Sequence, residues 1–313
     1  MPKHSKLLNT MDRKNDILNK SIILAIGKSC FMMCNGCYNY FSNDKLIPKK
    51  AIIKFVKYLK NHTTIKKITV GGGDPLSRKD IIDILKCIKK EGFKINMDTT
   101  GLPFLNDTKI MLNGRGVCKK IDIGRIKHHI DILGIPLDGS NEKIIHTIRQ
   151  GERKIFEKTK RILTLTHKHS IPVSVNTVVH RANIKDLDNI YKIMMHYPNI
   201  FRWQLFQYSS IGPLGYMNHK QHIITDKQFT TAIERIQKLS KILKKPIILD
   251  IKYCRKRRNA YLLIDSNGLA WCPKTYKKSK WDLKNNKRII WGNIKNIKNI
   301  PDIVNRAFRY QGS

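Results

Sequence analysis

The chain has 313 residues, 41% hydrophobic and 27% charged, which is enough for one large domain with an ample apolar core. It carries 61 Lys and Arg against 23 Asp and Glu, a formal net charge of +38. Its apolar runs, such as 22–26, are far shorter than the roughly 18–20 residues of a membrane-spanning helix, and no basic-then-apolar leader opens it, so we expect a cytoplasmic protein without membrane spans.

The order of apolar patterns along the chain predicts the fold class. Residues 1–20 are polar and aperiodic and are predicted to form a flexible arm. The predicted strands are 21–27, 67–70, 94–97, 131–137, 172–179 and 202–207. The predicted helices are 49–60, 78–91, 152–168 and 184–196. Strands that alternate with helices predict an α/β fold with a parallel sheet, either open and doubly wound or a partial (β/α)6 TIM-type barrel.

This alternation ends after about residue 225. A helix, a strand at 246–251, a hairpin of 261–264 with 269–271, and a terminal helix near 300–308 are predicted there. We therefore expect three parts: the arm 1–20, a barrel core 21–224, and a small C-terminal α+β extension 225–313.

Three cysteines carry the clearest chemical signal. Cys30, Cys34 and Cys37 lie within eight residues, in the loop after the first predicted strand. Thiols at this spacing can hold three corners of an iron–sulfur cube and leave one iron open to a small chelating molecule. A structural zinc site favours a second CxxC pair, and a redox CxxC does not need Cys30, so both alternatives are less favoured.

With these cysteines, the chain resembles the radical S-adenosylmethionine enzymes, whose hallmark is CxxxCxxC after the first strand. The resemblance covers roughly residues 21–208 and implies a partial barrel. It also implies that Cys30, Cys34 and Cys37 hold a [4Fe–4S] cluster whose open iron binds S-adenosylmethionine. Reductive cleavage of this cofactor gives a 5′-deoxyadenosyl radical, which abstracts hydrogen from a substrate in an oxygen-sensitive reaction.

Further motifs follow in the order that the resemblance requires. Tyr38, directly after the third cysteine, would pack against adenine. The stretch 72–76 resembles the family's Gly-Gly-Glu-Pro turn, which implies that Gly72 and Gly73 approach the methionine moiety. Asp74 would pair with the ammonium group, although it is one methylene shorter than the usual Glu.

The resemblance extends to three more strand ends. Thr99 follows the third barrel strand, and in this family the residues at the end of that strand commonly contact the cofactor. Asp138 and Arg149 stand in stretches that resemble the family's fourth-strand motif, and would lie near the cofactor or the substrate. Asn176 on the fifth strand would bond the ribose. No catalytic residue beyond the cofactor ligands is assigned.

The charge leaves the partners open. The basic residues are mostly Lys and spread along the chain, the densest run being 252–258, and no RNA-binding module is recognisable. We expect a small-molecule, nucleotide or peptide substrate, and a one-electron donor such as flavodoxin or ferredoxin that suits a basic surface. The alternatives are an RNA-modifying radical enzyme and a degenerate iron–sulfur barrel with a structural or redox-sensing role.

The end of the chain indicates the branch of the family. Its tail resembles the SPASM or twitch extensions, and the strand 202–207 resembles the viperin-like and MoaA-like branches. Seven cysteines are an odd number and do not suggest a disulfide framework. Because Cys118, Cys254 and Cys272 are scattered, we expect no auxiliary cluster. On the strand, Trp203 and Leu205 are predicted to face the core, and Gln204 and Phe206 to share the opposite face.

Overall fold

The computed structural model describes residues 21–42, 44–243, 247–254, 261–273 and 288–309. The predicted arm 1–20 lies outside the described residues. The strands are β1 (Ser21–Gly27), β2 (Met33–Cys34), β3 (Lys67–Gly72), β4 (Lys94–Asp98), β5 (Thr108–Lys109), β6 (Val117–Cys118), β7 (Ile132–Pro136), β8 (Arg149–Gln150), β9 (Val173–Val179), β10 (Ile200–Gln207), β11 (Ile248–Lys252), β12 (Tyr261–Ile264), β13 (Leu269–Pro273) and β14 (Arg288–Asn293). The helices are α1 (Lys49–His62), α2 (Ile81–Lys90), α3 (Gly124–Lys127), α4 (Glu142–Ile145), α5 (Ile155–Lys168), α6 (Leu187–Met194), α7 (Pro213–Met217), α8 (His219–His222), α9 (Asp226–Leu243) and α10 (Ile300–Arg309).

One large sheet organises the described part of the chain. Its strand order is β11-β10-β9-β7-β4-β3-β1-β12-β13-β14. The six strands predicted for the barrel, β1, β3, β4, β7, β9 and β10, are consecutive neighbours and all parallel. The sheet does not close among the described residues, where β11 and β14 are its edges. The predicted α/β fold with a partial TIM-type barrel is therefore confirmed.

The strands that follow the barrel extend the same sheet on both sides. β11 pairs in parallel with β10, and β12 pairs in parallel with β1. β12, β13 and β14 then form an antiparallel unit, which includes the predicted hairpin. The strands on either side of residue 225 thus share one sheet, and the division into a core and an extension stays a prediction.

The helices cover the sheet through apolar faces. In α1 the buried residues are Ala51, Ile52, Phe55, Val56 and Leu59, at the spacing of one helix face. α2 begins three residues later than predicted, because Pro75–Ser77 forms a 3-10 turn before it. Arg78 points into the core instead, where it donates to the Ile47 carbonyl at 2.8 Å. None of the described helices is long and apolar enough to cross a membrane.

Candidate functional site

The parallel strands surround a cavity of about 360 Å³. Nine of the eleven predicted site residues line it: Cys30, Cys34, Cys37, Tyr38, Gly72, Gly73, Thr99, Arg149 and Asn176. Asp74 and Asp138 do not line it, and both are fully buried. Most of these residues stand at or beyond the carboxyl ends of the strands, where the active sites of β/α barrels are built.

The cysteine loop is held by backbone hydrogen bonds on three sides. Cys30 exchanges hydrogen bonds with Leu112, at 3.0 Å and 3.1 Å. Cys34 lies opposite Arg149 in the β2–β8 pair. The Cys37 carbonyl accepts from the Gly215 N–H in α7 at 3.2 Å. The three thiols therefore keep their positions without a disulfide, and none of the seven cysteines, all of which are described, forms one.

Burial raises the pKa of each of the three thiols. Burial, with the neighbouring Asp74 and Cys34 charges, raises the pKa of Cys30, and burial together with Cys34 raises the pKa of Cys37 to about 12. Burial also raises the pKa of Cys34, against the opposing effect of Arg149. A bound metal would deprotonate such thiols. In the described part of the chain no three His, Cys, Asp or Glu residues surround a single metal-ion position. Three cysteine thiols on one loop are the kind of ligand that iron–sulfur clusters use.

The glycine turn after β3 lies against the end of β1. The Gly73 N–H donates to the Gly27 carbonyl at 2.8 Å, and the Asp74 N–H donates to the Ser29 carbonyl at 2.7 Å. Gly72 has φ +123°, and a Cβ there would lie 2.6 Å from the Ala25 carbonyl carbon. The turn needs glycine for this close packing as well as for the cavity wall.

Asp74 ties the glycine turn to the end of β4. Its carboxylate accepts from the Thr99 hydroxyl at 2.7 Å, from the Thr100 N–H and hydroxyl at 2.7 Å each, and from the Leu76 N–H at 3.0 Å. Burial raises the pKa of Asp74, and these hydrogen bonds oppose the rise. Asp74 thus reaches the cavity through Thr99, which lines it.

Asp138 holds Arg149 against the cysteine loop. The Arg149 Nε donates to the Asp138 carboxylate, which also accepts from the Val178 N–H at 2.6 Å. The Arg149 Nη1 lies 3.4 Å from the Cys34 sulfur. Burial would lower the pKa of Arg149, but Asp138 and Cys34 outweigh that effect and raise it. A permanent positive charge therefore stands beside one thiol.

Asp98 also lines the cavity, in the stretch 98–101 that the family resemblance places at the third-strand end, although only Thr99 was assigned a role there. Its Oδ1 accepts from Asn96 Nδ2 at 2.8 Å and from Asn176 Nδ2 at 3.1 Å, so three barrel residues form one polar wall. The signal was the alternation along β4, which puts Asn96 and Asp98 on the same face. Thr99, the residue predicted from this strand end, follows directly after Asp98.

The strands after the barrel add an aromatic wall that was also missed. Tyr261 on β12 and Trp271 on β13 line the cavity, as does Tyr208 after β10. Trp271 donates through Nε1 to the Asp265 carboxylate at 2.7 Å, and Arg288 donates to the same carboxylate at 3.0 Å. No local pattern marks these residues, because β12 reaches β1 across more than two hundred residues of chain.

Comparison with protein families identifies the class of protein. The model of the Radical SAM superfamily matches residues 24–194, which is more than half of the chain. The chain belongs to the radical SAM superfamily. The predicted family is thereby confirmed, and the matched segment contains the cysteine motif and Asn176.

Two similar proteins with assigned names are enzymes. An S-adenosylmethionine-dependent nucleotide dehydratase of Selenomonas ruminantium is 22% identical over 251 residues, covering 78% of this chain and 83% of its own. A probable GTP 3′,8-cyclase of Methanocaldococcus jannaschii is 26% identical over 176 residues, covering 55% of this chain and 53% of its own. These names agree with the branches that the sequence resembles.

A similar solved structure is that of Streptococcus suis SuiB. Bound to its precursor peptide SuiA, SuiB aligns with a TM-score of 0.64 at 13% identity, covering 85% of this chain and 62% of its own. The form bound to S-adenosylmethionine aligns with a TM-score of 0.62 at 14% identity. The chain thus spans less than two thirds of the SuiB chain, and at this identity the likeness concerns the fold.

Proposed function

We propose that this chain binds a [4Fe–4S] cluster through Cys30, Cys34 and Cys37, binds S-adenosylmethionine beside it, and uses the two to abstract hydrogen from a small metabolite, nucleotide or peptide. The observation that supports this most directly is that three thiols, none of them in a disulfide, lie on one hydrogen-bonded loop and line the cavity. Polar residues from the strand ends line the same cavity. When bound, the cluster and cofactor supply reductive homolysis of a C–S bond and the resulting 5′-deoxyadenosyl radical.

The residues of the chain bind and orient these groups. Arg149, fixed by Asp138, offsets the negative charge that thiolates and inorganic sulfide bring to the loop. The backbone of Gly72 and Gly73 would contact the methionine end of the cofactor. The polar side chains of Thr99 and Asn176 would hydrogen-bond to the remainder of the cofactor, and the Tyr38 ring would pack against its adenine. Asp74 positions Thr99 rather than contacting the cavity itself.

The remaining walls keep water and other hydrogen donors from the substrate. Trp271 and Tyr261 on one side and Phe206 on the other enclose the lumen with aromatic surface. A one-electron donor such as flavodoxin or ferredoxin is part of this proposal, because acidic carriers suit a chain with a net charge of +38. Such carriers also suit the cytoplasmic location expected from the sequence.

Anaerobic reconstitution with iron and sulfide tests the proposal. We expect about four irons per chain, a brown chromophore, and 5′-deoxyadenosine on reduction with dithionite in the presence of S-adenosylmethionine. Cys30→Ala, Cys34→Ala and Cys37→Ala should each lose the chromophore, since each removes one of three ligands. Cys87→Ala is the matched control, because Cys87 lies on α2 outside the cavity.

Two results would contradict the proposal. One is a wild-type chain that forms no chromophore under these conditions. The other is a chromophore that survives in the loop variants and not in the Cys87 control, which would move the cluster elsewhere. An RNA-modifying enzyme, the alternative, requires tRNA that stays bound at high salt.

A further inference from the structure

Three cations line the lumen that the cysteine loop faces. Lys67 is the first residue of β3, whereas Gly72, at the other end of that strand, lies at the loop. Five residues of strand separate them, roughly 16 Å. Arg202 on β10 and Lys252 on β11 line the same cavity as Lys67. Of these three cations, Lys67 stands at the strand end away from the cysteine loop, whereas Lys252 is the last residue of β11. The charges of Arg202 and Lys252 both act on Lys67, so the three cations lie close together.

Arg202 is held across the lumen by neutral groups. Its Nε donates to the Ser174 hydroxyl at 3.0 Å, and its Nη2 donates to the Asn96 side-chain oxygen at 3.2 Å. Neither partner carries a charge. Nη1 makes no hydrogen bond with a described residue, and it is available to a ligand in the lumen.

Lys252 is fixed by a single carboxylate. Its Nζ lies 2.8 Å from Asp250 Oδ1, and the other oxygen of Asp250 accepts from Gln204 Nε2 at 2.9 Å. The other acid whose charge acts on Lys67 and Arg202 is Asp98, whose Oδ1 is engaged by Asn96 and Asn176. The acids thus compensate only part of the positive charge.

Lys67 is an exposed residue, and its side chain forms no hydrogen bond or ion pair with any described residue. Partial burial and then the charges of Arg202 and Lys252 lower its pKa, and the attraction of Asp250 and Asp98 is weaker than this repulsion. Three like charges kept together without full compensation destabilise an empty site. They are stabilised when an anion binds among them.

We infer that Lys67, Arg202 and Lys252 form a subsite for a phosphate group of the substrate, which is then a phosphorylated small molecule lying along the lumen with its reacting C–H toward the cysteine loop. This inference rests on the proposed function and adds the substrate class. A guanidinium and two ammonium groups match the several oxygens of a phosphate. A cavity of about 360 Å³ is within the range of small-ligand sites.

Calorimetric titration of the anaerobically reconstituted protein with inorganic pyrophosphate tests the subsite. No reductant is added, so the measurement is independent of turnover, and about 0.3 M salt suppresses binding to the basic surface. We expect Lys67→Ala to weaken binding about tenfold or more, and Arg202→Ala at least as much. Lys66→Ala is the matched control and should change nothing, because Lys66 is exposed beside Lys67 and does not line the cavity.

Lys67→Ala is the decisive variant, since Lys67 has no partner among the described residues whose loss would disturb the fold. Equal pyrophosphate affinity in wild type and Lys67→Ala, or no measurable binding to wild type, would overturn the inference. Citrate that binds as tightly as pyrophosphate, with the same sensitivity to the variants, would overturn the assignment to phosphate. Formation of 5′-deoxyadenosine by wild type is assayed separately, so that pyrophosphate binding without cofactor cleavage refutes only the proposed function, and the reverse result refutes only this inference.

Discussion

The Asp74 carboxylate is fully buried and accepts hydrogen bonds from Leu76, Thr99 and Thr100. Asp74→Ala leaves several donors unpaired in the core, each at a cost of about 1–3 kcal/mol. We therefore expect a loss of roughly 3–5 kcal/mol in the free energy of unfolding, measured by chemical denaturation. Weaker S-adenosylmethionine binding should accompany the loss, because Thr99 is released.

Asp83→Ala is the control for this change, because Asp83 is an exposed acid on α2 whose ion pair with Lys49 is also exposed. It should alter the stability by less than about 1 kcal/mol. If Asp74→Ala unfolded like the control, Asp74 would not connect the glycine turn to β4. Binding that weakened without any loss of stability would instead favour the direct ammonium contact that the family motif implies.

Single residues of the site were predictable where a local motif marks them. The cysteine spacing located Cys30, Cys34 and Cys37, and strand alternation separated Trp203 from Gln204 as the structure has them. A motif does not show which atoms a side chain contacts in the folded chain. The contact of Arg149 with Cys34 depends on the pairing of β2 with β8, and no feature of either segment alone specifies that pairing.

At the scale of elements, the short helix α8 is held by two buried histidines. His222, in α8, packs edge-on against His180, after β9, with ring centroids 5.1 Å apart, and also contacts the Tyr208 ring. His180 Nε2 and both ring nitrogens of His222 have no hydrogen-bond partner among the described residues. Burial, His222 and then Arg149 lower the pKa of His180 to about 3. Both rings are therefore neutral at pH 7.

This pair makes the stability of the chain sensitive to acid. The unfolded chain takes up a proton on His180 near the ordinary histidine pKa of 6.5, and the folded chain does not until about 3, so stability falls as pH falls between these values. From pH 7 to pH 5 we expect a loss of roughly 2 kcal/mol from His180 alone, measured as a denaturant midpoint at each pH. His222, whose pKa burial also lowers, adds to the loss.

His180→Gln should flatten this dependence, because glutamine keeps an acceptor for the Ala182 N–H and does not titrate. His167→Gln provides the control, since His167 is exposed on α5 and its removal should leave the pH dependence as in wild type. A wild-type chain equally stable at pH 5 and pH 7 would show that the buried histidines do not resist protonation.

At the scale of the whole molecule, local patterns predicted the six barrel strands but not how the sheet ends. Each barrel strand is a short apolar run that lies beside the next barrel strand in the sequence. The apolar periodicity and the right-handed crossover rule are therefore sufficient to predict these six strands and their order. β11 and β12 join opposite sides of the barrel, and β12 lies beside β1 although it is distant in sequence. Such non-local pairing leaves no periodic pattern in the sequence. For that reason, the place of Tyr261 and the grouping of Lys67, Arg202 and Lys252 in one lumen were not predicted.

The shared sheet makes the predicted boundary near residue 225 testable. A chain ending after residue 224 would lose α9, which packs against α6, and would turn β1 and β10 into edges. Ile22, Leu24 and Trp203, all completely buried, would lose neighbours. Because each large void in a core costs about 2–5 kcal/mol and a domain has only about 5–15 kcal/mol in total, we expect this fragment to show no cooperative thermal unfolding. A chain ending at Arg309, which keeps every described element, should unfold like the full chain, and cooperative melting of the 1–224 fragment at the same temperature would show that the barrel core is an independent domain.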